Sequence, residues 1–197
     1  MLGILTALVV VLQSTGTAIR FLPGGTSVSL TLIPIVVGAM ILGPKGGLWL
    51  GFMFGLITVI MGASGADGFT YILFVNHPAL TVLTCMSKAM CAGLFSGIVY
   101  RALLKRNALA ATFAASAIAP ITNTGLFVLG GLTMSGTLSS QFITDGSSVI
   151  YFLVIGCAGL NFVFEFILNM VVSPALNAVM IHLGLVPKGS KGIADGE

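Results

Sequence analysis

The sequence predicts an all-α membrane protein, a bundle of six transmembrane helices with both termini in the cytoplasm. Of its 197 residues 57% are hydrophobic and 7% are charged, and the mean hydropathy is +1.13. This composition leaves too little polar surface to cover a soluble globule. Gly- and Pro-rich breaks also divide the chain into segments near the ~20 apolar residues that a membrane-spanning helix needs.

The placement of charge gives the orientation. Six of the eight basic residues fall in three short segments, at residue 45, at 101–106 and at 188–191, and the intervening loops carry Asp67 and Asp145. Basic segments stay on the cytoplasmic side, so the alternation puts the termini inside and these two aspartates outside. Because the basic residues are scattered over separate turns, the net charge of +3 reports topology and does not indicate a nucleic-acid partner.

The breaks place the helices at about residues 2–21, 28–42, 48–62, 78–100, 108–134 and 149–183. The first lacks a basic leader and a cleavage site, which favours a retained helix over a signal peptide. Pro34 is expected to kink the second. The third follows a Pro/Gly turn at 43–47.

The outer segment between the third and fourth helices, 63–78, is aromatic and is expected to lie against the protein or the membrane. Pro78 suits the first turn of the fourth helix because its missing N–H is not needed there. The sixth helix is long enough to need the break offered by Ser173 and Pro174. The chain is therefore one transmembrane domain, 1–184, followed by a flexible cytoplasmic tail, 185–197.

Small residues recur at four-residue spacing on three helices: Gly47, Gly51 and Gly55; Ala89, Gly93 and Gly97; Ala111, Ala115 and Ala119. Such spacing lets another helix backbone approach closely. For the fourth and fifth helices this predicts packing within the bundle. For the third helix, and for Gly3 and Ala7 on the first, docking of a partner subunit is an equal expectation.

Polar residues at membrane depth mark a candidate binding site, because each must find a partner or a ligand there. Lys88 lies ten residues into the fourth helix, which is about 15 Å deep at 1.5 Å per residue. Asn123 and Asn161 approach the same outward half from the fifth and sixth helices. Lys88 either faces an anionic ligand in a polar cavity or pairs with Glu165, and the sequence leaves both readings open.

The mouth of the site is expected above the fourth helix, where Asn76 and His77 could close it. Tyr71, in the outer segment, and Tyr151, at the outer end of the sixth helix, complete the predicted substrate-binding set.

No motif indicates catalysis, a cofactor or a metal. His77 and His182 fall at opposite membrane faces, so neither could activate a nucleophile at the midplane. The three cysteines are odd in number, without a CxxC pair, and read as small buried hydrophobes. The sequence also lacks a GxxxxGK[ST] motif, so it cannot hydrolyse ATP alone.

Several segments together resemble the substrate-binding S components of energy-coupling factor (ECF) vitamin transporters, most closely the pantothenate-type members. They are Leu-Gly-Pro-Lys-Gly-Gly at 42–47, Asn-His-Pro at 76–78, Pro-Ile-Thr-Asn-Thr-Gly at 120–125 and Asn-Phe-Val-Phe-Glu at 161–165. The family usually carries Ala-x-x-x-Ala in the first helix, whereas this chain has Gly3 and Ala7.

The resemblance implies a non-enzymatic subunit in the plasma membrane of a bacterium that captures a vitamin from outside. It also implies docking on a transmembrane scaffold subunit through helices one to three, with two ATPases powering transport. Pantothenate or a related small anion is the expected ligand; riboflavin, folate and a queuosine precursor are the alternatives within the family. An autonomous small-solute carrier or channel is a more remote alternative.

Overall fold

The computed structural model describes residues 1–16, 30–143, 146–182 and 184, and the parts it describes are nearly all helical. The helices are α1 (Leu2–Gly16), α2 (Leu32–Leu42), α3 (Pro44–Ala63), α4 (Gly68–Asn76), α5 (Pro78–Leu104), α6 (Ala108–Thr133), α7 (Ser135–Gln141), α8 (Val149–Tyr151) and α9 (Gly159–His182). A π-helical segment, Phe152–Cys157, joins α8 to α9.

Four of these helices, α3, α5, α6 and α9, are long and apolar enough to cross a membrane. The shorter helices α1 and α2 are apolar as well. Predicted features at 17–29, including the loop 22–27, and at Asp145, Lys188, Lys191 and the tail 185–197 lie outside the described residues. The chain is thus a multi-pass membrane protein, and the count of six spans stays a prediction.

The sequence located the central helices well. The helices α5 and α6 begin where predicted, at Pro78 and Ala108. The helix α3 begins four residues earlier than predicted, because Pro44 occupies its first turn, where a missing N–H costs nothing. The helix α2 begins at Leu32, so Pro34 falls in its first turn and does not kink its interior as expected.

The predicted break in the last helix was wrong. The helix α9 runs through Pro174 without interruption, and the Ser173 hydroxyl donates a hydrogen bond of 2.7 Å to the Asn169 carbonyl beside it. Membrane helices tolerate such a proline where neighbouring groups satisfy the backbone. The irregularity lies instead in the π-helical segment, where the Ala158 N–H bonds the Leu153 carbonyl five residues back at 2.9 Å.

The helix α5 is central to the bundle. It packs against both α3 and α6, and α9 packs against α6 and α2. Its Tyr100 is buried in one apolar cluster with Ala115 of α6 and Met180 of α9. A second cluster joins α1, α2 and α3 through Val9, Ile35 and Leu50, together with other buried side chains.

Two segments fold against the ends of the long helices: the one between α3 and α5, and the one that follows α6. The segment between α3 and α5 contains α4, whose Phe69 is buried with Met134, Leu138 and Leu153. The Phe69 ring lies 5.0 Å from the Phe142 ring, centroid to centroid. Of the two expected positions, against the protein or against the membrane, the structure thus shows the first, and α4 and α7 cover the ends of the long helices on this side of the bundle.

Candidate ligand-binding site

A cavity opens beneath α4, in the half of the bundle that contains the N-terminal ends of α5 and α9. Its lining combines polar side chains from six parts of the chain with aromatic rings. The polar lining residues are Gln13, Thr58, Asp67, Thr70, Thr81, Thr84, Lys88, Asn123, Thr124, Asn161 and Glu165. The aromatic ones are Phe54, Phe69 and Phe127. The three residues predicted from membrane depth, Lys88, Asn123 and Asn161, thus meet in one place.

Lys88 projects from α5 over an aromatic face. Its Nζ lies 5.2 Å from the centroid of the Phe127 ring, within the range of a cation–π contact. Glu165 lines the same cavity from α9, so both partners of the alternative ion pair are present at the site. An aromatic surface that holds an ammonium group can also accept another cation.

Asn123 places an acceptor in the wall of the cavity. Its side chain is 7% exposed, and among the described residues its Oδ1 has no hydrogen-bond partner. A buried amide oxygen without a partner is costly in the absence of a ligand or water. Asn123 is therefore a candidate to accept a hydrogen bond from a ligand N–H or O–H group.

Asn161 and Glu165 lie one turn apart on the buried face of α9. The Asn161 Nδ2 donates to the carbonyl of Cys157, the last residue of the π-helical segment, at 3.3 Å. That segment also supplies Leu153 to the cavity wall. Because π-helical turns shift the register of side chains, the segment sets which face of α9 reaches the cavity.

Asp67 and Gln13 are two of the seven polar lining residues that were not predicted. Asp67 precedes α4, is buried, and accepts a 2.5 Å hydrogen bond from the Thr70 hydroxyl at its Oδ2. Gln13 of α1 donates to Thr58 of α3 at 3.1 Å and accepts from Thr31 at the same distance. Gln13 could have been predicted, because it is a polar residue inside the first apolar segment. Asp67 could not, because it reaches the cavity only through the way α4 folds against the bundle.

Among the described residues, the lining carries three groups with a formal charge. Lys88 contributes one formal positive charge, and Asp67 and Glu165 contribute one negative charge each. A cavity with carboxylates and aromatic walls suits a small organic cation that also carries hydrogen-bonding groups. No group of three or more His, Cys, Asp or Glu side chains that could hold a metal forms within the described parts of the chain.

The residues predicted at the mouth do not line this cavity. Asn76 is exposed and donates to the Ile72 carbonyl of its own helix at 2.8 Å. The His77 Nε2 lies 3.0 Å from the Thr137 hydroxyl and so joins the start of α5 to α7. Tyr71 and Tyr151 are 43% and 59% exposed, respectively, because their helix faces turn away from the bundle.

The predicted docking residues divide into two groups. Gly47, Gly51 and Gly55 pack inside the chain: a Cβ at Gly51 would lie 2.2 Å from the Ala89 carbonyl oxygen of α5. The groove that these three glycines form is therefore filled by α5, and their docking assignment stays a prediction.

Gly3 and Ala7 lie on an open surface instead. No atom lies within 4 Å of a Cβ placed at Gly3. The two residues line a shallow apolar groove between α1 and α3 with Leu2, Thr6, Val10, Val11 and Trp49. The Trp49 ring is 46% exposed and stacks on Phe52 with centroids 5.7 Å apart.

The chain was compared with models of known protein families. Residues 1–184 match the model of the thiamine transporter protein family (Thia_YuaJ). The chain belongs to that family. No curated protein matches the chain significantly.

Membership in Thia_YuaJ supports the prediction of an ECF S component and a role in transport, not catalysis. It does not support the pantothenate-type assignment.

Proposed function

We propose that this Thia_YuaJ member is the vitamin-binding subunit of an ECF importer and that its vitamin is thiamine. The observation that carries the proposal is the cavity beneath α4, with two carboxylates, one ammonium group and aromatic walls. Thiamine has a permanently cationic thiazolium ring, an aminopyrimidine and a hydroxyethyl group. The family name points to the same ligand.

Each part of thiamine finds a complementary group in the lining. Glu165 and Asp67 would face the thiazolium ring from the cavity wall, and Phe127 and Phe69 would offer aromatic faces to the rings. The Asn123 Oδ1 would accept from the amino group of the pyrimidine. Lys88, a cation itself, would leave the Phe127 face when the thiazolium ring takes it.

Pantothenate is the second candidate, because Lys88 could pair with its carboxylate. The two candidates predict opposite responses to Lys88→Met. A cationic ligand should bind this variant at least as tightly as wild type, whereas an anionic ligand should lose a charge-assisted contact and bind about 10- to 150-fold more weakly.

Isothermal titration of the detergent-purified protein separates these candidates. We expect thiamine to bind wild type and Lys88→Met with similar or improved affinity, and pantothenate to bind neither. Riboflavin, folate and a queuosine precursor serve as controls in the same titration. Binding of pantothenate alone, weakened in Lys88→Met, would overturn the thiamine proposal.

The partners that we propose are a transmembrane scaffold subunit and two ATPases, since the chain carries no Walker motif. The groove at Gly3 and Ala7 supports docking there, because small residues allow a partner helix to approach. Ala7→Trp should abolish copurification with the scaffold and keep thiamine affinity. Val171→Trp, on an equally exposed face of α9, is the control and should copurify normally.

The orientation that we propose places the cavity on the outside of a bacterial plasma membrane. Ser139 is exposed on α7, next to the cavity's outer cover. A Ser139→Cys variant should react with a membrane-impermeant thiol reagent in intact cells, and a tag after Glu197 should be reached only after permeabilisation. Labelling of Ser139→Cys only in permeabilised cells would reverse the orientation.

A further inference from the structure

A second polar site lies in the cytoplasmic half of the bundle, away from the ligand cavity. Tyr100 of α5, Ser116 of α6 and Asn177 of α9 are buried, at 1%, 0% and 0% exposure. Within the described residues, the Tyr100 hydroxyl, the Ser116 hydroxyl and both polar atoms of Asn177 have no hydrogen-bond partner. Buried polar atoms without partners are uncommon in folded proteins, and several on neighbouring helices require an explanation.

The three side chains belong to one region of the core. Tyr100 shares an apolar cluster with Ala115 and Met180. Ala115 directly precedes Ser116 on α6, and Met180 lies three residues, about one turn, after Asn177 on α9. The helix α9 packs along α6, and α6 packs along α5.

Depth along the helices agrees with this grouping. Tyr100 lies twelve residues, about 18 Å, inward of Lys88, and Asn177 lies the same distance inward of Glu165. Ser116 follows Ala115, whose carbonyl accepts a hydrogen bond from Ser96 of α5, so Ser116 lies near the level of Ser96, about 6 Å from that of Tyr100. Side chains lean toward the N-terminus of their own helix, so Tyr100 and Asn177 lean outward while Ser116 leans inward. The polar atoms therefore approach a common level.

We propose that Tyr100, Ser116 and Asn177 form a buried water-binding site that connects α5, α6 and α9. The ligand must both donate and accept, because the Asn177 Nδ2 is a donor, its Oδ1 is an acceptor and the two hydroxyls can be either. Water meets all of these requirements, and a buried water typically makes about three such bonds. A metal cation would leave the Asn177 Nδ2–H donors unsatisfied.

The site also continues a polar row that begins in the ligand cavity. Buried polar residues recur every four positions on α9: Asn161, Glu165, Asn169, Ser173 and Asn177. The middle members bond their own helix, with Asn169 donating to the Glu165 carbonyl at 2.7 Å and Ser173 to the Asn169 carbonyl at 2.7 Å. Asn177, at the inner end, has no such bond and is the member that needs an outside partner.

The sign of one substitution tests the proposal. If water bridges the site, Tyr100→Phe removes a hydrogen bond and should lower the thermal unfolding midpoint of the detergent-purified protein by about 2–4 °C. If the hydroxyl has no partner, removing it should leave the midpoint unchanged or raise it, and that result would overturn the site. The effect of Tyr100→Phe should also shrink in an Asn177→Leu background, since both residues share the water.

Ser173→Ala is the matched control, because the Ser173 hydroxyl lies on the same row but bonds its own helix. Its effect should add to that of Tyr100→Phe; additive effects of Tyr100→Phe and Asn177→Leu would contradict a shared water. X-ray radiolytic hydroxyl labelling gives a second readout that needs no variant. A bound water should make Tyr100 reactive despite its burial, and an unreactive Tyr100 in the folded protein would refute the proposal.

Discussion

The contact between α3 and α5 differs in kind from the contact between α6 and α9. On α3, Gly47 and Gly51 approach the α5 backbone so closely that an added Cβ at either would lie 2.2 Å from a carbonyl oxygen. On α9 the buried face is a row of asparagine, glutamate and serine side chains. The α3–α5 contact is thus made by backbone atoms, whereas the buried face of α9 presents polar side chains, two of which, Asn161 and Glu165, line the ligand cavity.

Within one bundle, the α3–α5 contact therefore serves packing, and the polar face of α9 serves the ligand binding that we propose. Glycines four residues apart predict a close helix approach equally well for an internal neighbour and for a partner subunit. Polar residues at the same depth are informative in another way, because a bilayer offers them no solvent. The following predictions test how completely the two contacts divide these roles.

The largest effect is expected at the α3–α5 contact. Gly51→Leu should prevent folding, because the added side chain collides with the α5 backbone, and overpacking in a well-packed core already costs about 1–3 kcal/mol without a backbone collision. Gly3→Leu is the control, since its Cβ meets no atom within 4 Å. Gel filtration and thermal unfolding measure both; a folded Gly51→Leu protein would show that α3 can move away from α5.

A large effect on thiamine affinity, with folding retained, is expected at Glu165, where the polar row of α9 lines the cavity. Glu165→Gln keeps the shape of the side chain and removes its charge, so thiamine should bind about 10- to 150-fold more weakly. Ser173→Ala, two turns along the same buried row, is the control for a general effect of substitution on α9. Titration calorimetry decides, and an unchanged thiamine affinity in Glu165→Gln would exclude this carboxylate from the site.

A smaller effect is expected on the α6 side of the cavity. Asn123→Ala removes a neutral acceptor, which is worth about 0.5–1.5 kcal/mol, so affinity should fall roughly 2- to 12-fold. Because its Oδ1 has no protein partner among the described residues, stability in the absence of ligand should change little or rise. A marked loss of stability without ligand would mean that Asn123 serves the fold and not the vitamin.

The smallest effect is expected at the two tyrosines that the sequence suggested. Tyr71→Ala and Tyr151→Ala should change thiamine affinity by less than about twofold, because both rings face away from the cavity. Equilibrium binding with labelled thiamine has the resolution for this comparison. A tenfold loss in either variant would require the outer segments to turn these rings inward when the vitamin binds.

The sequence predicted the depth of the polar site residues, because depth depends only on the rise per residue of each helix. Lys88, Asn123 and Asn161 were placed at one depth by counting residues from the ends of helices whose Pro and Asn punctuation is clear, and they line one cavity. Their direction around each helix was not needed, because buried polar groups turn inward on energetic grounds.

The remainder depends on tertiary folding. Asp67 joins the cavity because α4 folds inward on Phe69, a packing choice with no local pattern. Asn76 and His77 are close in sequence to residues that line the cavity. Their side chains, however, form hydrogen bonds with Ile72 and Thr137 and do not line it. The π-helical segment, whose Leu153 packs closely on Gly131 of α6, has no such pattern in the sequence, whereas Pro174, which suggested a break, lies in continuous helix.

The position of Trp49 gives the protein a built-in optical reporter. It is the chain's single tryptophan, and it sits half-exposed at the edge of the α1–α3 groove, outside the cavity lining. Its emission should therefore shift when another membrane subunit covers the groove and respond little when a vitamin enters the bundle. Assembly and capture could then be followed as separate signals in one unlabelled sample.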